Sequence, residues 1–411
     1  MIPNNVIVIG GGAAGLIACG YAAENAERVY LIEKNNRLGK KLRITGKGRC
    51  NITNSAEIED FFANVPTNPK FLYSAFYEFT NSDIINLLEK YGVETKVERG
   101  GRVFPVSDKA GDVVDALTKF ALKKNVTLIT DEVTEIEISD GIAVGVKTKS
   151  GKKLNGKVIV ATGGASYPLT GSDGGGYRLA EKAGHTVTEL IPSLIPVITE
   201  EKWTGGLTGL SLKNVTLTVK NQKNKIVFEE LGEMLFTHYG VSGPLVLSAS
   251  AHMKNLGKNK YTMYIDMKPG LTTEKLDSRL IRDFETEKNK DIINGLDSLL
   301  PKALIPVVIS LSGIDERKKI NSLTREERQN LVSTVKGLKL TVDGFRPIEE
   351  AIITSGGVRV KEINPSTMES KLVKNLYFAG EIIDVDAYTG GFNLQIAWST
   401  GYLAGKNAGV N

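Results

Sequence analysis

Val6-Ile-Val-Ile-Gly-Gly-Gly-Ala-Ala-Gly15 joins a β-branched run to a glycine cluster near the start of the 411-residue chain. A short run of this kind is the pattern of a parallel strand buried on both faces. Gly10, Gly12 and Gly15 then fit the Gly-x-Gly-x-x-Gly spacing. The first glycine permits the tight turn, the second lets a pyrophosphate approach the backbone, and the third lets helix and strand pack closely. Ala13 and Ala14 begin the helix that follows, whose free N–H groups and partial positive charge suit phosphate. Arg28-Val-Tyr-Leu-Ile-Glu33 reads as the second strand. Glu33 ends it, placed to accept hydrogen bonds from an adenosine ribose, with Lys34 beside it. This unit predicts dinucleotide binding without separating a nicotinamide from a flavin ligand.

Residues 1–23 carry no charge, but no Lys or Arg precedes the apolar run and four glycines interrupt it. The stretch therefore reads as strand, turn and helix rather than a leader or membrane anchor. No other segment suggests a membrane span, so the expectation is a cytoplasmic protein with no membrane partner.

Two further glycine turns decide between the cofactors. Lys157-Val-Ile-Val-Ala-Thr-Gly-Gly164 and Leu376-Tyr-Phe-Ala-Gly-Glu381 each run a short apolar strand into a turn. Ala161, Thr162, Gly163, Gly164, Gly380 and Glu381 are thus expected at the C-terminal edge of one sheet, where ligands of open α/β sheets bind. FAD is long, and a C-terminal segment returning to an N-terminal fold supplies contacts at its far end. Gly391, Phe392, Asn393, Leu394 and Gln395 open the last helix, whose N–H groups and dipole suit the flavin N1/O2 edge.

Lys40, Lys41, Arg43, Lys47 and Arg49 form a basic stretch broken by glycines at 39, 46 and 48. Such runs are usually solvated faces. Its position after the ribose acid makes Lys40, Lys41, Gly46, Arg49 and Asn51 candidate pyrophosphate or isoalloxazine contacts. Cys50 falls near the ring by the same reasoning but reads as a small buried apolar residue. Val133, where the chain turns strand-rich, and Asp386 complete the expected cofactor set. Gly171-Ser-Asp-Gly-Gly-Gly176 lacks the Gly-Lys-Ser/Thr ending of a phosphate loop and reads as the lead into a helix. No dedicated NAD(P) domain is evident, so NAD(P)H would dock only transiently as donor.

Helical periodicity covers about 82–91 and 111–124, and 127–160 is strand-rich. Composition changes near Pro192 and Pro196. Strands follow at about 212–219, 226–236 and 261–267, and helices at 272–288 and 324–336, the last opening on Thr324-x-x-Glu327, a capping box. The fold class expected is α/β: a Rossmann-type FAD/NAD(P)-binding domain, discontinuous over 1–191 and 351–411, with an insertion at 192–350. The insertion divides into a β-barrel (about 192–268 and 338–350) and a helical subdomain (about 269–337).

The chain resembles the bacterial flavoprotein family that includes aminoacetone oxidase and a bile-acid-pathway ene-reductase. The resemblance rests on Gly10–Gly15, Thr45-Gly-Lys-Gly-Arg-Cys-Asn-Ile-Thr-Asn54, Gly101-Arg-Val-Phe-Pro105, Leu235-Phe-Thr-His-Tyr-Gly-Val-Ser-Gly-Pro244, Thr354-Ser-Gly-Gly-Val358, and Gly380-Glu-x-x-Asp384-x-Asp386 with Thr389-Gly-Gly-Phe-Asn-Leu-Gln395. It implies an FAD domain with an inserted barrel and helical subdomain. It likewise implies that Glu381 is like the acid holding ribityl hydroxyls in related flavoproteins, and that the loop of His238 overhangs the flavin. His238 and Tyr388 are the candidate catalytic residues, for proton relay or substrate positioning.

The expected activity is oxidoreduction with non-covalent FAD and hydride transfer at N5, on a small-molecule substrate. Two directions stay open: oxidation of an amine or aminoketone with oxygen giving hydrogen peroxide, or NAD(P)H-driven reduction of a C=C bond. The alternatives are an FAD-dependent tRNA-modifying protein and a flavin-binding protein without turnover. Cys19 and Cys50 form no Cys-x-x-Cys pair, which excludes a dithiol reductase. No metal site is expected. A net charge of +5 with no concentrated basic domain carrying interleaved aromatics argues against a nucleic-acid partner, and nothing sets the oligomeric state.

Overall fold

The computed structural model describes residues 4–410. The chain divides into two compact units, Met1–Ser193 with Ile348–Asn411, and Leu194–Pro347.

In the first unit, five parallel strands lie in the order Leu376–Phe378, Lys157–Val160, Asn5–Ile9, Arg28–Glu33, Val126–Thr130. The first strand is flanked on both sides, in register Val6 with Lys157 and with Val29. Val6, Ile7 and Val8 are fully buried, as expected of a central parallel strand covered on both faces. The strand from the C-terminal end of the chain pairs with Lys157–Val160, so the last part of the sequence completes the sheet that the first part begins.

The helix Ala13–Ala22 carries almost no amphipathic pattern because it is covered nearly all round. One cover is the C-terminal helix Phe392–Gly409, which presents Gly401, Gly405 and Gly409 at four-residue intervals. A Cβ on each would run into the carbonyl of Ala14, Ala18 and Ala22 respectively. Residues four apart share a helix face, so this stripe brings two parallel helices together at backbone distance. Trp398, fully buried on the same helix, donates its indole N–H to Ile52 O at 2.9 Å, the partner a buried indole requires.

Two antiparallel three-stranded sheets flank this core. One is Val133–Ser139, Ile142–Thr148 and Lys153–Asn155; the other sets Arg102–Pro105 between Thr53–Asn54 and Thr95–Glu98. Ile191–Ser193 pairs antiparallel with Ile353–Ser355, joining the points where the chain leaves the first unit and returns to it. The helix expected to reach residue 124 is Ala110–Ala121. Beyond it Lys123 turns back to donate to Gly20 O at 2.8 Å and pair with Glu24 at 3.0 Å.

The second unit holds a closed six-stranded antiparallel barrel: Val197–Thr199, Gly240–Ser242, Ile226–Thr237, Ser211–Asn221, Tyr261–Asp266 and Leu338–Phe345. Closure leaves no free edge for unwanted pairing. The two three-residue strands escape periodicity analysis because three residues carry too little alternation. Thr273–Glu287 and Arg325–Lys336 pack through Leu276, Leu280, Leu331 and Val335. Thr324 and Glu327 form the expected capping box. No helix of the described residues is long and apolar enough to cross a membrane.

Candidate functional site

Three glycine turns continue the central strands and end at one level. Gly10 N donates to Ile32 O (2.8 Å), Ala161 N to Ile9 O (2.9 Å) and Ala379 N to Val160 O (3.0 Å). A Cβ on Gly10, whose φ is +103°, would stand 2.5 Å from Ala161 O, so the first two turns lie back to back. A Cβ on Gly380, φ +79°, would stand 2.8 Å from the Ala14 Cβ, which seats the third turn on the first helix. Gly380 N is fixed by the Thr400 hydroxyl at 2.9 Å. Residues from the beginning, middle and end of the chain thus form one rim.

Within the first turn, Gly12 and Gly15 differ in what surrounds them. A Cβ on Gly15 would collide with Gly10 O, whereas one on Gly12 meets no atom within 4 Å. Gly15 is demanded by packing, and Gly12 faces open space. Gly12 is also the N-cap of Ala13–Ala22 and supplies no side-chain acceptor, so the first-turn N–H groups are left for a ligand. Glu33 curls over this turn. Its Oε2 accepts from Gly11 N (2.7 Å), and its Oε1 accepts from the backbone N (2.8 Å) and Nδ2 (2.7 Å) of Asn35.

The C-terminal helix starts the same way. Its N-cap, Gly391 (φ +100°), has no side-chain cap, and a Cβ there would strike Thr53 O. With its amide turned to satisfy its neighbours, Asn51 accepts from Gly391 N at 3.0 Å and donates to Thr53 O at 3.1 Å. Asn54 donates to Gly390 O at 3.0 Å, and Asn393 bridges back to Ala387 N and O at 2.9 and 2.6 Å. Gln395, fully buried, accepts from the Thr53 hydroxyl at 2.7 Å and donates to Phe79 O at 3.0 Å. Phe392 packs edge-on against Phe61 with centroids 5.0 Å apart, and Leu394 is half-buried. Because Gly401 sits beside Ala14, the two helices run the same way with starts offset by roughly eight residues, about 12 Å of helix rise. Two positive helix ends, both uncapped by side chains, therefore point the same way along one rim.

The basic residues separate. Lys41 Nζ binds Glu381 at 2.8 and 3.1 Å and the Ser166 hydroxyl at 2.7 Å, while Glu381 Oε1 also accepts from Thr354 N at 2.9 Å. The Glu381 carboxylate expected to meet ribityl hydroxyls is thus already engaged by the protein. Lys40 reaches Asn35 Oδ1 at 3.1 Å, and Lys34 pairs with Asp173 at 2.8 Å. Arg49, expected near pyrophosphate or ring, instead pairs with Glu98 and with Asp108 and lies 4.2 Å from the Phe104 ring centroid. Those two acids raise its pKa; the guanidinium lowers that of Glu98, and Lys96 together with the guanidinium lowers that of Asp108. Gly46 begins a left-handed stretch, φ +56°, that lets the loop fold back onto Asn51.

Cys50 is fully buried, and burial pushes its thiol up to about 12. Its burial fits the reading of a small apolar residue, and a thiol so raised stays protonated at neutral pH. The Thr162 hydroxyl is buried against Gly176 without a hydrogen-bond partner. Gly163 takes φ +73°, and a Cβ on Gly164 would press on Thr354 and Glu381. Val133 is buried at the head of its strand, just beyond Asp131, whose N donates to Glu33 O at 3.1 Å. Asp386 is buried and accepts from Ser193 at 3.2 Å and Ser355 at 2.9 Å, which makes it a brace.

Tyr388 is half-buried two residues before Gly390, its N bound to Asn64 O at 2.9 Å. His238 belongs to the second unit, where with Tyr239 it makes a two-residue turn between barrel strands; His238 is exposed and Tyr239 half-buried, ring centroids 4.8 Å apart. The sequence assigned no role to Asn35, Ser166, Thr354 or Thr53, although Thr53 and Thr354 lie in segments that carry the family resemblance. Only Asn35, two residues past Glu33, sat where a local turn signal would have drawn notice. No group of metal-ligating side chains occurs among the described residues.

The model of the family described as HI0933-like protein Rossmann domain matches residues 4–407. A 3-dehydro-bile acid delta(4,6)-reductase of Clostridium scindens is 30% identical, over 98% of this chain and 99% of that protein. A ribosomal RNA dihydrouridine synthase of Escherichia coli is 31% identical, over 98% and 97%. Among solved structures, a flavocytochrome c3 fumarate reductase in its open conformation superposes with TM-score 0.53 at 16% identity, covering 98% of this chain and 78% of that one. That likeness is one of fold.

Proposed function

The chain belongs to the HI0933-like, FAD-binding family, and from that premise we propose that it is an FAD-dependent enzyme reducing a carbon–carbon double bond conjugated to a carbonyl. The observation that carries the cofactor reading is the pair of uncapped helix starts, offset by about 12 Å, beside a Gly12 whose missing Cβ leaves room for a ligand. A pyrophosphate at one end and a flavin N1/O2 edge at the other suit two such positive ends. The direction of reaction is supported by the relatives' names. A 3-dehydro-bile acid with delta(4,6) unsaturation has its double bonds conjugated to a ketone, and dihydrouridine is uridine with the ring C=C beside a carbonyl saturated. The two substrates share little except that bond.

Bound FAD would supply hydride-transfer chemistry at N5, with NAD(P)H as the reductant that saturation of a C=C bond requires. The chain supplies binding, charge and a proton. Ala13, Ala14 and Gly15 present N–H groups to the pyrophosphate, and Glu33 takes the adenosine ribose while holding Gly11. The start of Phe392–Gly409, braced by Asn51 and Asn54, stabilises negative charge at the flavin N1/O2 edge. Tyr388 is the proposed proton donor to the α-carbon, and His238 is the rival for that role. Lys41 and Glu381 hold the third turn rigid from within.

The test is anaerobic. Purified protein should be yellow and release FAD on denaturation. NADH or NADPH should bleach it, and a 4-en-3-one steroid or a uridine-containing RNA should restore the colour faster than air does. Bleaching by amines, with colour restored only by oxygen and peroxide formed, would overturn the reductase reading in favour of an oxidase.

A further inference from the structure

The whole net charge of +5 resides in the second unit. Leu194–Pro347 contains 23 Lys and Arg against 18 Asp and Glu, while the rest of the chain balances at 29 of each. Much of the excess lies in two short segments of similar composition, Lys220-Asn-Gln-Lys-Asn-Lys225 and Lys254-Asn-Leu-Gly-Lys-Asn-Lys260. In sequence they are separate and neither is long enough to mark a basic domain.

The barrel brings them side by side. The first is the turn between Ser211–Asn221 and Ile226–Thr237, and the second leads into Tyr261–Asp266, which pairs with the first of those strands at Lys220 with Thr262 and Asn221 with Tyr261. Gln222 locks the two segments together, donating to Asn259 Oδ1 at 3.1 Å and accepting from Lys260 N at 2.9 Å. Each segment is also stiffened from inside. Asn221 Oδ1 accepts from Lys223 N and Lys225 N at 3.0 and 3.1 Å, and Asn259 donates to Lys254 O at 3.1 Å. Lys220 lies 5.0 Å from the Tyr264 ring centroid, while Lys223, Lys225, Lys254, Lys258 and Lys260 are exposed. None of the six makes an ion pair among the described residues. Six ammonium groups without an ion-pair partner, carried on two adjoining segments of the barrel, make a positive surface that attracts an external polyanion.

We infer that this paired lysine–asparagine surface of the barrel binds the phosphate backbone of RNA. The occupant is chosen by what accompanies the charge. Exposed amides of Asn224 and Asn255 offer donors and acceptors for 2′-hydroxyls and base edges. A membrane would call for an apolar anchor among the cations, but Leu256 packs against the barrel core and Ile226, exposed beside Lys225, is a lone side chain rather than an apolar face. An acidic protein partner would call for an aromatic or aliphatic centre to the patch, which these segments lack. The inference deepens the reductase reading by giving it a substrate class, and rests on that reading only for what happens after binding.

The experiment uses the full-length protein and a fluorescein-labelled oligouridylate, with anisotropy followed across a salt series. One variant carries K223Q, K225Q, K258Q and K260Q. A control carries K275Q, K288Q, K290Q and K302Q, removing equal charge from the helical part of the same unit. Wild type and control should bind with the same steep salt dependence. The first variant should bind more than about tenfold more weakly, with a salt slope smaller by roughly 0.7 for each phosphate it no longer neutralises. Its melting temperature and flavin spectrum should be unchanged. Undiminished binding by that variant, an equal drop in the control, no binding by wild type at low salt, or preferential capture by phosphatidylglycerol vesicles would each overturn the inference. RNA binding without flavin reoxidation by any conjugated alkene would sink the reductase reading and leave this surface standing.

Discussion

A Cβ on Gly401 would stand 2.6 Å from the carbonyl oxygen of Ala14, so the last helix meets the first at backbone contact although 387 residues separate them. That contact sets the offset between the two helix starts, and the offset sets the spacing of the two proposed anion sites. Gly401→Leu should therefore do more than overpack. Beyond a stability loss of about 1–3 kcal/mol, measured by urea denaturation, it should weaken FAD retention. Tight FAD binding in a destabilised Gly401→Leu protein would show that the helix contact is structural only.

Gly12 and Gly15 should fail in different ways. Gly12→Ala adds a methyl group into open space, so the protein should fold with an unchanged melting temperature yet purify colourless. Gly15→Ala drives a methyl group into Gly10 O and should give insoluble or strongly destabilised protein. A yellow, fully loaded Gly12→Ala protein would remove the pyrophosphate from this turn.

Glu33 acts on both sides of its carboxylate, holding Gly11 and Asn35 within the protein and facing the ribose in the proposed complex. Glu33→Gln keeps the shape and removes the charge. Since hydrogen bonds to a charged group contribute about 1.5–3 kcal/mol, FAD affinity by fluorescence titration should drop at least about tenfold. Adenine-free FMN should be indifferent to the change.

Both cysteines should be silent until the fold opens. Burial raises Cys19 and Cys50 from the ordinary thiol value to about 12. Folded protein should therefore resist a chromogenic thiol reagent near pH 8 and react only on denaturation. The unfolded chain loses these protons near pH 9 and the folded chain only near 12, so the folded state holds more protons between those values. Stability should fall as pH rises through that window, by up to about 1.4 kcal/mol per unit for each thiol. A flat urea midpoint from about pH 8 to about 10.5 would contradict the burial.

Acid should act through His185. Its ring is buried edge-on against Phe378 with centroids 4.8 Å apart, and Nε2 meets the Ser370 hydroxyl at 2.9 Å. Burial lowers its pKa despite Glu362 nearby, so the folded state keeps it neutral where the unfolded chain would be protonated. Its contribution is present above the ordinary histidine value and is lost as pH falls below it. Wild type should lose stability from about pH 6.5 downward, and His185→Gln should flatten that limb of the curve.

Tyr388→Phe separates chemistry from binding. If the phenol gives up the proton, FAD content and bleaching by NAD(P)H should stay unchanged, while reoxidation by the conjugated substrate slows about 10²-fold or more. His238→Asn is the matched comparison. An effect confined to the histidine variant would move the role to the inserted unit.

Much of this protein was written locally. The run from Val6 to Gly15, the acid at Glu33 and the repeated strand-then-glycine turns at 161–164 and 379–381 declare a parallel sheet with a ligand edge, because buried parallel strands must be apolar on both faces and tight turns need glycine. The capping box at Thr324 and Glu327 was equally legible, since it spans a single helical turn. What the sequence could not state was which charges remain available. Arg49 reads as a ligand contact until Glu98 and Asp108 arrive from elsewhere in the chain to neutralise it. Glu381 reads as a free acid until Lys41, 340 residues away, pairs with it. The lysines at 220–225 and 254–260 read as two ordinary loops until barrel pairing merges them. Strand, turn and cap are short-range consequences of sterics and hydrogen bonding, whereas charge availability is a sum over neighbours, and only the folded chain determines who those neighbours are.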